Sequence, residues 1–139
     1  MKVLIDTNII VDVALDREPF FTDSEQVVRL VEREQIEGYL SASTFSDLYY
    51  IIRKAKGHSW TLQFLQRMVI LCQVATVNHA AISMALTVNF KDFEDAIQYA
   101  TAVINHLDAI VTRNPQDFAV TTPRIMTPNE LIQELTNSL

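Results

Sequence analysis

Two glycines, Gly38 and Gly57, are all that this chain contains, and they lie far apart, so it has no glycine-rich loop to cradle a phosphate. Its single cysteine, Cys72, has no partner for an internal disulfide and cannot build a cysteine-based zinc site. The neighbours Val69, Ile70, Leu71 and Val74 are apolar, which predicts a buried, reduced thiol. No apolar run approaches the roughly 18 residues of a membrane span. Only Val3-Leu4-Ile5 precede Asp6 as an apolar run, which is not the pattern of a signal peptide. The expectation is a protein of the reducing cytoplasm without membrane association. Positive charge is also in deficit. Eleven Lys and Arg against 17 Asp and Glu give a formal net charge of −6, which argues against a nucleic-acid coat held by phosphate neutralisation. It does not exclude nucleic acid as a substrate, because a site that meets phosphate through a divalent metal needs acidic ligands.

What is present suits one globular domain. At 139 residues, 49% hydrophobic and 20% charged, the chain can bury a real core, and residues 1–139 read as one unit without repeat, linker or low-complexity stretch. Val3-Leu4-Ile5 predicts a buried strand, followed by a short helix from Asn8 to Leu15. Thr22 and Glu25 form a capping-box pattern that predicts a second helix running to about Gln35. Gly38 to Ser41 reads as a second strand and Phe45 to Ala55 as a helix stopped by Gly57. A helix from Ser59 to about Leu71 and a third strand, Val74 to Val77, come next. Asn78 is placed to cap a helix from His79 to Thr87, and Asp92 one from Phe93 to about His106. Ala109 to Thr112 and Ile125-Met126 complete the strands. Thr127, Pro128 and Glu130 then mark the start of a closing helix. Strands separated by helices predict an α/β fold, with a mostly parallel central sheet of four to five strands and helices on both faces.

Four acidic positions stand out against this pattern. Asp6 ends the first strand, where it could cap the next helix, or face a ligand at the carboxyl edge of an open sheet. Asp47 borders an apolar helical stripe, with Thr44 as a capping alternative. Glu94, Gln98, Thr101 and Asn105 form one helical stripe read as the solvent line, with Ala96, Ile97, Ala100, Val103 and Ile104 left for the core. Asp95 stands about 100° off that stripe, in a first turn where the helix dipole favours an anion. Asp117 follows the fourth strand in an Asn-Pro loop, and Asn114 competes with it as an oxygen ligand. Burying unpaired carboxylates costs several kcal/mol, so acids repeated at strand ends and on greasy helices point to a shared cation. His58, His79 and His106 lack the spacing of a zinc pair.

The motifs Leu4-Ile5-Asp6-Thr7-Asn8-Ile9-Ile10, Asp92-Phe93-Glu94-Asp95-Ala96-Ile97-Gln98 and Ile110-Val111-Thr112-Arg113-Asn114-Pro115-Gln116-Asp117-Phe118, in this order, resemble a PIN domain. That fold is shared by metal-dependent ribonucleases, including the VapC toxins of bacterial toxin–antitoxin pairs. The resemblance covers nearly the whole chain. It implies a magnesium- or manganese-dependent endoribonuclease in which Asp6, Asp47 and Asp95 are catalytic. It also implies metal ligation by Asp6, Asp95, Asp47 and either Asn114 or Asp117, with Thr7, Asn8 and Thr112 as supporting groups. The family's second acid is commonly Glu; Asp47 is one methylene shorter. Arg53, Lys54 and Arg113 are candidate phosphate contacts. The implied partners are an RNA substrate, presented single-stranded, a cognate antitoxin placing a basic side chain in the acidic pocket, and a second copy in a homodimer. Residues Tyr49, Tyr50, Trp60 and Phe64 suit either a dimer contact or the core. Two rivals stand beside this reading: a PIN-like binding module with a weakened acidic pocket, and an α/β enzyme phosphorylated on Asp6. The second fits poorly, because Asn8 replaces the second aspartate of that phosphatase motif and Arg113 stands where a receiver needs lysine.

Overall fold

A computed structural model describes residues 1–137; Ser138 and Leu139, counted in the expected domain 1–139, lie outside the described residues. Five strands, β1 (Lys2–Ile5), β2 (Glu37–Ser41), β3 (Gln73–Ala75), β4 (Ala109–Val111) and β5 (Arg124–Met126), form one sheet in the order β3-β2-β1-β4-β5. Every pairing is parallel. The sheet therefore has the expected strand count and is fully parallel. Val3, Leu4 and Ile5 are completely buried, as a central strand covered on both faces requires.

Alternation along the strands divides the core. Val3, Ile5, Ala109 and Val111 face one layer, with α1 (Thr7–Leu15), α2 (Phe21–Glu32), α3 (Thr44–Lys56), α4 (His58–Leu71) and α7 (Pro128–Asn137). Leu4 and Ile110 face the other, where Ala102 of α6 (Phe93–Ile104) packs. There α6 meets α5 (His79–Thr87) across an alanine seam of Ala81, Ala85, Ala96 and Ala100. The chain steps outward from β1 to β3, then returns past β1 to β4. Right-handed crossovers in opposite directions put the two helical layers on opposite faces. The reversal leaves a crevice between the carboxyl ends of β1 and β4.

Neither glycine readily takes a side chain, Gly38 for lack of space and Gly57 because of its positive φ. A Cβ on Gly38 would lie 2.8 Å from Val31 Cγ2 and 3.2 Å from Cys72 Sγ, because α2 packs tightly on β2 there. Gly57 has φ 84° and separates α3 from α4. Cys72 is free and buried, and burial pushes its thiol up to about 11.

Asn78 and Asp92 cap their helices through Ala81 N (3.0 Å) and Asp95 N (3.1 Å). Thr127 and Glu130 form the reciprocal pair expected of a capping box, at 2.9 and 3.1 Å. Several boundaries differ from expectation, among them the end of α2 at Glu32 and that of β4 at Val111. Thr22 caps nothing: α2 starts at Phe21, because the Arg17 carbonyl already accepts from Phe20 and Phe21 in a preceding turn. The third strand ends at Ala75, since β2 ends opposite it at Ser41. Thr76 pairs instead with the Asn105 side chain, Asn105 Oδ1 accepting from Thr76 N at 3.3 Å and Asn105 Nδ2 donating to Thr76 O at 3.0 Å. Asn105 thereby closes α6 at Ile104, two residues before His106. No helix among the described residues is long and apolar enough to cross a membrane.

Candidate active site

Asp6 lies at the crevice and is nearly buried. Its backbone opens α1, with its carbonyl accepting from Ile9 N at 3.0 Å, but its side chain makes no cap bond. Both carboxylate oxygens are engaged elsewhere. Gln98 Nε2 donates to Oδ1 at 2.7 Å, and Thr112 Oγ1 donates to Oδ2 at 2.7 Å. The capping alternative for Asp6 is therefore not taken. Each oxygen keeps a further lone pair, and Gln98 and Thr112 fix where it points.

A crevice of about 240 Å³ is lined by Asp6, Thr7, Asn8, Ile51, Asp92, Glu94, Asp95, Asn114 and Asp117. Asp95 is half-buried, and its carboxyl is pushed up to about 7, first by burial and then by the charges of Asp6, Asp92, Asp117 and Glu94. Asn114 and Asp117, the two alternatives for the last ligand, both line this crevice. Asn114 begins the short 3₁₀ turn Pro115–Asp117, and its backbone N donates to Thr112 Oγ1 at 3.1 Å. Thr112 thus links Asp6 to the loop that carries Asn114.

Glu94 was not among the expected residues. Its carboxyl is raised to about 7 by burial, then by the charge and hydrogen bond of Asp47, then by Asp92 and Asp6. Thr7 Oγ1 donates to it at 3.4 Å and also meets Thr44 Oγ1 at 3.1 Å. Thr44 therefore contacts Thr7 and does not cap Asp47, which stands against Glu94 and is absent from the crevice lining. The supposed solvent line of α6 is buried in its middle: Gln98 and Thr101 are completely buried, whereas Glu94 is exposed, and Ala96 and Ala100 are buried as expected. The signal was in the residue types. A solvent stripe normally carries ions, whereas Gln98 and Thr101 are uncharged and suited to interior hydrogen bonding.

The candidate phosphate contacts separate. Arg53 and Lys54 are exposed on α3, beyond Ile51, with Arg53 over the Tyr49 ring at 5.8 Å. Arg113 does not line the acidic crevice. It turns to the opposite face and pairs with buried Asp12, Nε to Oδ2, at 2.9 Å. β4 ends at Val111 and the chain bends at Arg113, so Thr112 turns to Asp6 while Arg113 turns to Asp12.

Whether these residues fit a divalent metal can be judged from their donors. Asp6, Asp95, Asp117 and Asn114 offer only oxygen, the set preferred by magnesium and manganese. Asp95 and Glu94 are both raised, first by burial and then by neighbouring acids, and a cation would relieve that crowded negative charge. Among the described residues, no three Asp, Glu, His or Cys side chains come together closely enough to hold a metal ion by themselves. An ion that keeps several of its own waters suits such an open set.

The sequence matches the family model described as PIN domain over residues 2–116. Ribonuclease VapC1 of Aquifex aeolicus (strain VF5) is 26% identical over 106 residues, 73% of this chain and 73% of that protein. The solved structure of VapBC2 from Rickettsia felis bound to a DNA fragment from their promoter shares the fold. Its TM-score is 0.63 at 14% identity, covering 91% of this chain and 97% of that one. Mycobacterium tuberculosis VapC20, a sarcin-ricin loop cleaving toxin, superposes with TM-score 0.62 at 12% identity, over 78% of this chain and 86% of that one. With a model match spanning most of its length, the chain belongs to the PIN domain family.

Proposed function

We propose that this protein is a magnesium- or manganese-dependent endoribonuclease, the toxin of a toxin–antitoxin pair, acting on RNA in the cytoplasm. The observation that carries this reading is the shared crevice of Asp6, Asp95, Glu94, Asn114 and Asp117 at the β1/β4 switch. Family membership and the ribonuclease name of the Aquifex relative support it.

In the proposed reaction, Asp6 and Asp95 would hold the main ion, and Asn114 and Asp117 would complete the oxygen set. A bound magnesium or manganese ion would supply an activated water and neutralise charge developing on the phosphorus oxygens and leaving group. Gln98 and Thr112 keep Asp6 in one orientation, so no reorganisation is needed when substrate arrives. Glu94, with its carboxyl near 7, is suited to accept a proton from the attacking water, and Asp47 beside it orients that water or holds a second ion. Thr7 fixes Glu94, and Asn8 borders the crevice. Arg53 and Lys54 lie outward along α3, where flanking phosphates of a single strand would pass.

The partner we propose is an antitoxin, since the Rickettsia relative was solved as a VapBC2 complex; a basic side chain of it would enter the acidic crevice. A homodimer is the proposed assembly. Tyr50 is exposed and Tyr49 and Trp60 are half-buried, so these three stay candidates for its contact, whereas Phe64 is buried in the core. Light scattering measures that state.

Incubation with single-stranded RNA or DNA tests the activity, with chelator and with magnesium or manganese restored. RNA cut internally only when metal is present is the expected result. The rival binding module is favoured by one observation, the absence of three converging acids among the described residues. It predicts RNA retention without cleavage, and no metal uptake by calorimetry.

A further inference from the structure

Asp12 is a completely buried carboxylate that the acidic crevice does not use. It sits on α1, one and a half turns beyond Asp6, and faces the opposite side of the sheet. Ser24 Oγ of α2 donates to its Oδ2 at 3.0 Å, and the same oxygen meets Arg113 Nε at 2.9 Å. The Arg113 N–H is not aimed along that line, so the contact is one of charge, and Asp12 Oδ1 has no donor. Phe20 covers the guanidinium, its ring centroid 3.9 Å from Arg113 Cζ. Among the described residues this is the ion pair with a completely buried member. Aligned hydrogen bonding is thus incomplete while both groups are largely removed from water, an arrangement that stability alone does not favour.

Its position supplies a reason. Arg113 lies between Thr112, which bonds Asp6, and Asn114, which lines the crevice. The chain bends at Arg113 just past β4, so the way this side chain is held decides how its two neighbours are presented. We propose that Asp12 is a positioning residue: through Arg113 it fixes the segment leaving β4, so that Thr112 and Asn114 are presented to Asp6. This inference rests on the reading of the crevice as a metal-dependent catalytic site. Phe20 and Ser24 extend the clamp into α2, so the first two helices and the end of β4 are tied at one point.

The test compares Asp12→Asn, Arg113→Lys and the double variant Asp12→Leu with Arg113→Met. Replacing both charges by apolar groups of similar size is often neutral for folding, so the double variant separates stability from positioning. Three readouts are taken: amide resonances of residues 112–117 without metal, manganese affinity by calorimetry, and the split of kcat from KM in RNA cleavage. The expected double variant melts near the unaltered protein and keeps its KM. Its amides at 112–117 shift or broaden, and its manganese affinity and kcat fall about 10-fold. Arg113→Lys, which keeps the cation, falls between the two, and Asp12→Asn shows the same resonance changes as the double variant. Unmoved resonances with full manganese affinity in a folded double variant or in Asp12→Asn would overturn the clamp. If the unaltered protein takes up no manganese and cleaves nothing, the catalytic reading fails instead, and the resonances still decide the clamp.

Discussion

Gln98 Nε2 lies 2.7 Å from Asp6 Oδ1, a buried hydrogen bond joining residues 92 positions apart in the chain. It couples the helix after the sheet's reversal to the end of the central strand. Gln98→Ala removes the donor that orients the Asp6 carboxylate. Metal affinity or cleavage should drop about 10- to 100-fold, as for other groups that orient a metal ligand. Calorimetry with manganese, beside cleavage at saturating metal, measures both.

Metal uptake should depend on protons. Glu94 and Asp95 carboxyls lie near 7, so each holds a proton part of the time at neutral pH and must release it to a cation. Affinity for manganese should therefore rise from pH 5.5 to pH 7.5. Calorimetry in buffers of different ionisation heat reads the protons released, expected to exceed zero at pH 6.5.

The same shifts govern stability without metal. Both folded values are raised above the ordinary 4.5 and 3.8, so the folded chain binds more protons than the unfolded one. That contribution is present below about pH 4 and is lost as pH rises through about 7. Chelated protein should melt lower at pH 8 than at pH 5.5 from this source, and added manganese should narrow the difference.

Glu94→Gln removes one member of the like-charged pair with Asp47 while keeping its size. Chelated protein should melt higher at pH 8, by on the order of 3 °C. Cleavage should fall in the same variant. A thermal melt beside a cleavage assay checks the opposite signs.

Gly38→Ala tests packing away from the crevice. The new Cβ would stand 2.8 Å from Val31 Cγ2, so α2 or its side chain must shift. Overpacking of this kind costs about 1–3 kcal/mol. Denaturant unfolding should show that loss, with cleavage by the folded protein unchanged.

The fold was legible because local signals agreed with it. Asn78, Asp92 and the Thr127–Glu130 pair started helices where their chemistry indicated, and Val3-Leu4-Ile5 read as a central strand. The misread boundaries depended on distant partners: Thr76 leaves β3 because β2 has ended and Asn105 takes its backbone groups. Asp6, Asp95, Asn114 and Asp117, singled out by position and motif, line one crevice. Glu94 was not singled out, because a helical stripe of polar residues has the same period whether it faces water or a buried crevice. Arg113 turns from the crevice to Asp12, and neither gave a sign because the two lie 101 positions apart.

The central claim is that Asp6 and Asp95 share one metal-dependent cleavage site. Its most direct measurement is manganese-dependent cleavage of single-stranded RNA by the unaltered protein, Asp6→Asn and Asp95→Asn, with manganese binding followed on the same samples. The account predicts cleavage by the unaltered protein, and in each folded variant a loss of 100-fold or more, about 2.7 kcal/mol in the barrier, with weakened manganese binding. Cleavage at the unaltered rate in both variants would contradict it.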